Sequence, residues 1–483
     1  MYRTACPSCG GEVIFRSAAS VMAVCEYCRS TLLRDADTVR DQGKMSAVLE
    51  DYSRIRIGTA GNWKGKAFSV VGRIQLRYDA GLWNEWYVLF DDNTAAWLAD
   101  ASGQYLMTTD LGPAADAPVF ENLRPEQRYT HDGKSFAFSD VRTARCTGGE
   151  GELPFKVGEG WEAKVADARA GSSFLTLDYS DGPAHLYVGE AVTLEGLACQ
   201  LLREPEQIAE TAGRLPGRPN VLDCPSCGSP LTYAAGMATQ LVCPACHAEV
   251  DCTGDKAEVL KKHTELSHVV TTLSPGDEAK IDGIKWSILG VMQCAERDDE
   301  SSQWTEYLLY NTNRGFQWLV ESSEGWERVM VLDDWPERFT AESATFKGKE
   351  FHNLYNYAAV VRYAAGAFNW RASVGDVTWI ADYKGADGKL TKEATPNEIG
   401  WSRSMPVPAQ QVGQWFGKKE KLPEAASQAD EGSLLWPAVI AIIVMVLFNL
   451  PMLIKSDDSE GIWIVMFIAG GLLWWPASRK KKD

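Results

Sequence analysis

The chain has 483 residues and a formal net charge of −17, with 45% hydrophobic and 23% charged residues. That length has room for roughly two to four domains, and the composition excludes wholesale disorder. The acidic balance argues against a protein whose main business is coating nucleic acid, because neutralising phosphates needs clustered Lys and Arg. Two counts depart from the ordinary: 18 tryptophans, and 12 cysteines of which eight fall into four C-x-x-C pairs.

In chain order, the N-terminus Met1-Tyr2-Arg3-Thr4-Ala5-Cys6 carries no apolar stretch and no small-residue cleavage site, so a cytosolic start with reduced thiols is expected. Reduced thiols favour metal ligation over disulfides. Cys6-Pro-Ser-Cys9 is followed, after 15 residues, by Cys25-Glu-Tyr-Cys28. Two thiolates at i and i+3 on a tight turn grip one tetrahedral ion, and a second such turn completes the shell. Pro7 and Gly10 supply turn chemistry, and Glu12 to Phe15 reads as a short strand between the turns. The spacing predicts a zinc ribbon over 1–34, with a redox dithiol or an iron–sulfur site as alternatives. Four sulfur ligands leave no open position, so the site is expected to be structural. A short helix is predicted over Asp37 to Glu50. The region 35–202 then reads as a β-rich module: Phe68, Val70, Gly72, Ile74, Leu76 and Tyr78 alternate with more polar residues at a period of two, Trp86, Val88 and Phe90 continue the pattern, and Phe174 to Tyr179 is a later strand.

After a connection over 203–222, the second cluster lies in 223–252: Cys224-Pro-Ser-Cys227, again 15 residues, then Cys243-Pro-Ala-Cys246, with Gln240 to Val242 as a strand. His247 is adjacent to Cys246 and is not expected to ligate. Cys146, Cys199, Cys252 and Cys294 lack ligand spacing and read as inert thiols. A helix is predicted over Lys256 to Ser267, and a second β-rich module over 253–417 with strands at Trp286 to Met292, Glu306 to Tyr310 and Gly315 to Val320.

The four ligand pairs share one offset, 218 residues, and so do Gly58/Gly276, Phe68/Trp286, Gly72/Gly290 and Ile74/Met292. A three-residue insertion shifts it to 221 for Trp83/Trp304, Glu85/Glu306 and Trp97/Trp318. The chain is therefore a duplication, ribbon plus module twice. A tether at 418–433 leads to 434–477, whose first stretch, Leu434 to Ile454, has 21 uncharged residues. As a helix it is about 31 Å long, enough to cross a bilayer core. The second stretch, Ile462 to Ala477, is shorter, and Arg479 to Lys482 follow it. Lys418, Lys419 and Lys421 on one side, that basic tail on the other and Asp457, Asp458 and Glu460 between them predict a transmembrane hairpin with both flanks in the cytoplasm. A buried helical hairpin is the alternative. The fold class expected is mainly β, two tandem ribbon-plus-antiparallel-module copies followed by a two-helix membrane hairpin.

The ribbon followed by a module carrying Trp83-x-Glu85-Trp86-Tyr87 and Trp97-Leu98 resembles the bacterial domain-of-unknown-function family 4178, over residues 51–200 and 268–415. The resemblance implies no catalytic residue and hints at a role in envelope or membrane-stress processes. The second copy departs from the pattern, with Tyr307 where the first has Trp86.

Other chemistry is missing from the sequence. There is no phosphate-binding G-x-x-x-x-G-K-[ST], no H-E-x-x-H and no G-x-S-x-G. Asp298-Asp299-Glu300 and Asp333-Asp334 read as solvated turns, and Glu85 and Glu306 as a strand-face ion pair or a site worth watching. The repeated tryptophans read mainly as core. The expected function is a membrane-anchored cytosolic binding or scaffold protein with two structural zinc ions, no catalytic residue, and protein partners at the inner membrane. Nucleic-acid binding through the ribbons and an enzyme site at the junction of the copies are the alternatives.

Overall fold

Segments with alternating apolar residues and turn residues between them bury one sheet face each, and antiparallel neighbours satisfy their backbone groups. The computed structural model describes residues 2–211, 224–261 and 269–418, apart from gaps of which 230–239 is the longest. In the first copy the tetracysteine unit comprises β1 (Tyr2–Ala5), β2 (Glu12–Phe15), β3 (Met22–Val24), β4 (Ser30–Asp35) and β5 (Thr38–Lys44). The module follows with β6 (Ala60–Trp63), β7 (Lys66–Tyr78), β8 (Gly81–Phe90), β9 (Ala95–Ala101), β10 (Gln104–Pro113), β11 (Arg128–His131), β12 (Lys134–Leu153), β13 (Glu162–Ala170), β14 (Ser173–Asp178) and β15 (His185–Val192). Helix α1 (Pro205–Thr211) opens the connection to the second copy.

The second copy repeats the plan. Its tetracysteine unit contributes β16 (Gln240–Val242), β17 (Glu249–Asp251) and β18 (Glu258–Lys261). Its module has β19 (Glu278–Ile281), β20 (Ile284–Glu296), β21 (Gln303–Asn311), β22 (Gly315–Ser322), β23 (Gly325–Val331), β24 (Arg338–Phe339), β25 (Ser343–Phe346), β26 (Lys349–Phe368), β27 (Val377–Gly385), β28 (Gly388–Ala394) and β29 (Ile399–Val407), then α2 (Ala409–Trp415).

Each module closes into an eight-stranded antiparallel barrel. The first ring runs β7-β8-β9-β10-β15-β14-β13-β12 and closes by β12 against β7; the second runs β20-β21-β22-β23-β29-β28-β27-β26 and closes by β26 against β20. Closure leaves no edge strand within either ring, and the sheet edges lie at β5 and β6 in the first copy and at β18 and β19 in the second. The long closing strands do a second job. The end of β12 pairs with β3 (Gly151, Glu152 and Leu153 opposite Val24, Ala23 and Met22), and the end of β26 pairs with β16. The tetracysteine units therefore share a sheet with their barrels rather than hanging from linkers.

Two glycine pairs make this branching possible. At Gly72 a Cβ would stand 1.8 Å from the Glu152 carbonyl oxygen, and at Gly290 a Cβ would stand 2.8 Å from that of Ala367. The facing residues Gly151 and Gly366 have φ of +70° and +91°, a region that favours glycine. Both copies carry a bulge just before Gly72 and Gly290.

The helices expected over Asp37 to Glu50 and Lys256 to Ser267 are corrected where those ranges are described; 37, 45–47, 49–50, 256–257 and 262–267 lie outside the described residues. Thr38–Lys44 is β5 on the edge of β4, and Glu258–Lys261 is β18 on the edge of β17. A helix of about a dozen residues is marginal in water, whereas an open strand edge offers a ready ladder. The expected strands at Glu12–Phe15 and Gln240–Val242 are present with those bounds. The tether is described only at Lys418, and the hairpin at 434–477 lies outside the described residues. No helix among the described residues is long and apolar enough to cross a membrane.

Candidate metal centres and barrel lumens

In each tetracysteine unit the four sulfurs lie within 4.8 Å of one another. Cys6 and Cys28 are 3.6 Å apart at sulfur, Cys9 and Cys25 3.7 Å, Cys224 and Cys246 3.6 Å, and Cys227 and Cys243 3.9 Å. A tetrahedron with metal–sulfur bonds of about 2.3 Å has edges of about 3.8 Å, whereas a disulfide needs about 2.05 Å. The spacing fits one ion per cluster, so all eight predicted ligands come together as two sets of four. The turns are built as the sequence suggests: the Gly10 amide donates to the Cys6 carbonyl and the Gly228 amide to that of Cys224, with Gly10 and Gly228 at φ of +76° and +74°.

Burial pushes the Cys25 and Cys224 thiols up, while the hydroxyls of Ser30 and Ser229 bring Cys28 and Cys227 down to about 6. Crowded sulfurs of mixed protonation become four thiolates only with a cation among them. Cys146 and Cys294 are buried and Cys199 half-buried, away from the clusters as expected; Cys252 and His247 lie outside the described residues.

The closed barrels give each strand an outer and an inner face. The outer faces pack under covering segments: Ile55, Leu194 and Leu197 lie over Phe68, Trp86, Val88 and Leu98 in the first copy, and Leu273 and Val412 lie over Trp286, Tyr307 and Leu319 in the second. Trp86 and Tyr307 occupy the same outer core position, the Tyr307 hydroxyl donating to Glu321 at 2.7 Å. Inside, one end of each lumen is packed by apolar side chains together with the tetracysteine strands: Met22 and Val24 meet Ile74, Leu76 and Tyr87, and Val242 meets Met292 and Leu308.

The rest of each lumen is polar. The Trp83 indole donates to Glu85 at 2.9 Å and that of Trp304 to Glu306 at 2.7 Å. The Thr176 hydroxyl donates to Asp167 at 2.7 Å and that of Thr391 to Asp382 at 2.5 Å. Asp178 and Glu393 sit one inward position further along β14 and β28. These strands stand opposite β8 and β21 in their rings, and their acids still act on one another. Burial, together with the charges of Asp167 and Asp178, pushes Glu85 up to about 8; burial, then Glu306, pushes Glu393 up to about 7. The register puts these carboxylates on the inner side, Glu85 opposite Ile74 and Asp167 opposite Thr176. Glu85, Asp167, Asp178 and Glu306 are nevertheless only half-buried and Glu393 is exposed, so these acids reach solvent.

Glu85 and Glu306 were worth watching, but neither makes an ion pair among the described residues. Trp83 and Trp304, read as core, are partly buried and reach these lumen acids. Asp167, Thr176 and Asp178 went unread, although the duplication contains them: at an offset of 215 they face Asp382, Thr391 and Glu393. Of the acidic turns, Asp299 accepts from Ser301, and Asp333 accepts from Gln104 of the first barrel at 2.9 Å.

No curated protein matches the chain. The family model described as "Domain of unknown function (DUF4178)" matches residues 56–194 and 274–409, which span the two barrels and leave the tetracysteine units outside. The chain belongs to this family, in two tandem copies.

Proposed function

We propose that this chain is a binding and scaffold protein of the bacterial inner membrane, with its barrels on the cytoplasmic side, acting in envelope or membrane-stress processes. The observation that best supports a binding role is the repetition of one closed barrel with one acid-lined lumen in both copies, each stapled to a four-sulfur cluster. Closed barrels of eight strands are a recurrent vessel for a small ligand. The metal in each cluster is zinc, bound for structure. A unit of about 30 residues cannot bury enough apolar surface to hold itself, and zinc contributes roughly 10–16 kcal/mol in finger peptides.

The uncharged stretch from Leu434 to Ile454 and the flanking lysines support a membrane hairpin. A random coil of 16 residues, the length of the segment 418–433, spans about 22 Å, a reach that keeps the barrels beside membrane-borne protein partners and raises their local concentration. The test is fractionation of cells making the full chain or residues 1–417. The full chain is expected in the alkali-resistant membrane fraction, and 1–417 in the soluble fraction with its metal retained. A full chain released by alkali refutes the anchor.

A further inference from the structure

The first copy holds the second through one stretch of its closing strand. β12 pairs with β11 over Lys134–Ala137 and with β7 from Cys146 onward, and between these pairings its outer side meets the second copy. There the Val141 amide donates to the Asn397 carbonyl at 2.9 Å, Asp140 stands opposite Glu398, and Arg142 pairs with both acids. The end of β13 adds two bonds: Arg169 donates to the Asp333 carbonyl at 3.1 Å, and the Gly171 carbonyl accepts from the Trp335 amide at 3.2 Å.

This contact is heterologous. The first copy contributes the bulge of β12 and the β13–β14 turn, the second its β28–β29 turn and the loop before β24. Duplication therefore leaves a second version of each face. At the offset of 215, Tyr355, Asn356 and Tyr357 on β26 stand where the first copy has Asp140, Val141 and Arg142, with a bulge at Leu354 as at Ser139. The pairing of β26 with β25 ends at His352 and that with β20 begins at Ala359. Among the described residues no strand pairs with 354–357 on the side away from β27. Asn356 faces Ala381 as Val141 faces Ala166, so the same register turns its amide to that open side.

The open face is apolar. Leu354 and Tyr355 are 49% and 43% exposed, and Trp379, opposite Ala358 on β27, is 47% exposed, whereas Ser139 is buried and Val141 half-buried. The matching turn of the first copy, between β14 and β15, has Gly182 and Pro183 where the second has Asn397 and Glu398. Both are exposed, as are Leu111 in β10 and Val119 before β11. The two faces differ from the joined pair in a concerted way: Tyr357 and Pro183 replace the ion pair of Arg142 with Glu398, which leaves neither side with a stranded charge. Proline costs no bond there, because the Glu398 amide is bonded to Thr395 within its own turn.

We propose that this face of β26 docks the β14–β15 turn of a second copy of this chain, so that chains associate head to tail by repeating between molecules the contact that joins the barrels within one. An open strand side flanked by exposed aromatics is a template for such pairing. The proposal stands apart from the anchor: fractionation reports on the hairpin, association on the barrel faces.

The test is sedimentation velocity of the detergent-solubilised full chain, whose mass should rise above that of the monomer with concentration. Tyr355→Asp and Pro183→Asp should each weaken association by about tenfold or more, and Val270→Asp, an exposed apolar residue elsewhere, should not. An equimolar mixture of the Tyr355→Asp and Pro183→Asp chains should form a dimer and stop there, because each supplies the face the other has lost. Metal content and far-ultraviolet circular dichroism check that the variants are folded. In the otherwise unmodified chain, a photo-reactive benzoylphenylalanine in place of Leu354 should cross-link to 111–119 or 180–184 of another chain. A mass that stays monomeric, association that survives both substitutions, a mixture that stays monomeric, or a cross-link into 418–483 of the same chain overturns the proposal.

Discussion

Arg73 is the severest single-residue test of how the first barrel is held. Its guanidinium is almost wholly buried and donates to Asn84 at 2.9 Å, to Asp51 at 3.0 Å and to Glu150 at 3.2 Å, 4.8 Å from the Trp86 ring centre. Asp51 is equally buried and also accepts from Asn84, while Arg203 donates to the carbonyls of Asp51 and Ser53. The network pins the segment before β6 and the chain after β15 to the outer face of the barrel. Arg73→Met would leave the Asp51 carboxylate buried without its cation, a loss of about 3–5 kcal/mol. By hydrogen exchange read peptide by peptide, that is about two to four orders of magnitude in the protection of β7 and β8. The double variant Arg73→Met/Asp51→Asn removes the stranded charge and should recover at least half. The second copy supports the expectation, since Val291 occupies the Arg73 position and packs with Tyr307 and Trp326 in an apolar core. A single variant costing under about 1 kcal/mol, or a double variant no better than the single, would refute the reasoning.

Gly72→Ala should destabilise the first barrel by about 3 kcal/mol or more in a urea melt, because the Glu152 carbonyl must move; Gly65→Ala, with open space but φ of +81°, should cost only about 1 kcal/mol. Glu85 titrates near 8 when folded against an ordinary 4.5, so the folded state holds the proton longer than the unfolded one. Its contribution to stability is present below pH 4.5 and is lost as pH rises through about 8. The melting temperature should therefore fall across that window, and Glu85→Gln should flatten the fall. Chelation of the metal should raise hydrogen exchange first at Gly151–Leu153 and Gly366–Phe368, where the tetracysteine strands join the barrels, with β8 and β21 responding least.

Local signals in the sequence were legible where the physics is local. The cysteine spacing gives both clusters because a metal turn needs only four residues, and the period of two locates β7, although the bulge before Gly72 sends Phe68 and Val70 to the outer core and Ile74 and Leu76 to the inner one. Ring closure was not legible. The pairing of Leu76 with Cys146 joins residues far apart in the chain, and no periodicity encodes which strand finds which. Where they are described, the segments after each cluster are strands at Thr38–Lys44 and Glu258–Lys261, because the free edges of β4 and β17 outcompete a weak helical pattern. Glu85 was visible beside its tryptophan, but Asp167 and Asp178 read as ordinary polar strand positions until the barrel curves them toward it. The glycine pair Gly72/Gly290 was visible only as a repeat; its reason, the close approach of β12 and β26, is tertiary.

The two four-sulfur clusters are held together by their metal. Elemental analysis of the full chain purified without chelators should find about two zinc ions per chain, falling by one in Cys25→Ser and by one in Cys243→Ser. About one or none in the unmodified chain, or iron with visible charge-transfer bands in place of zinc, would contradict it.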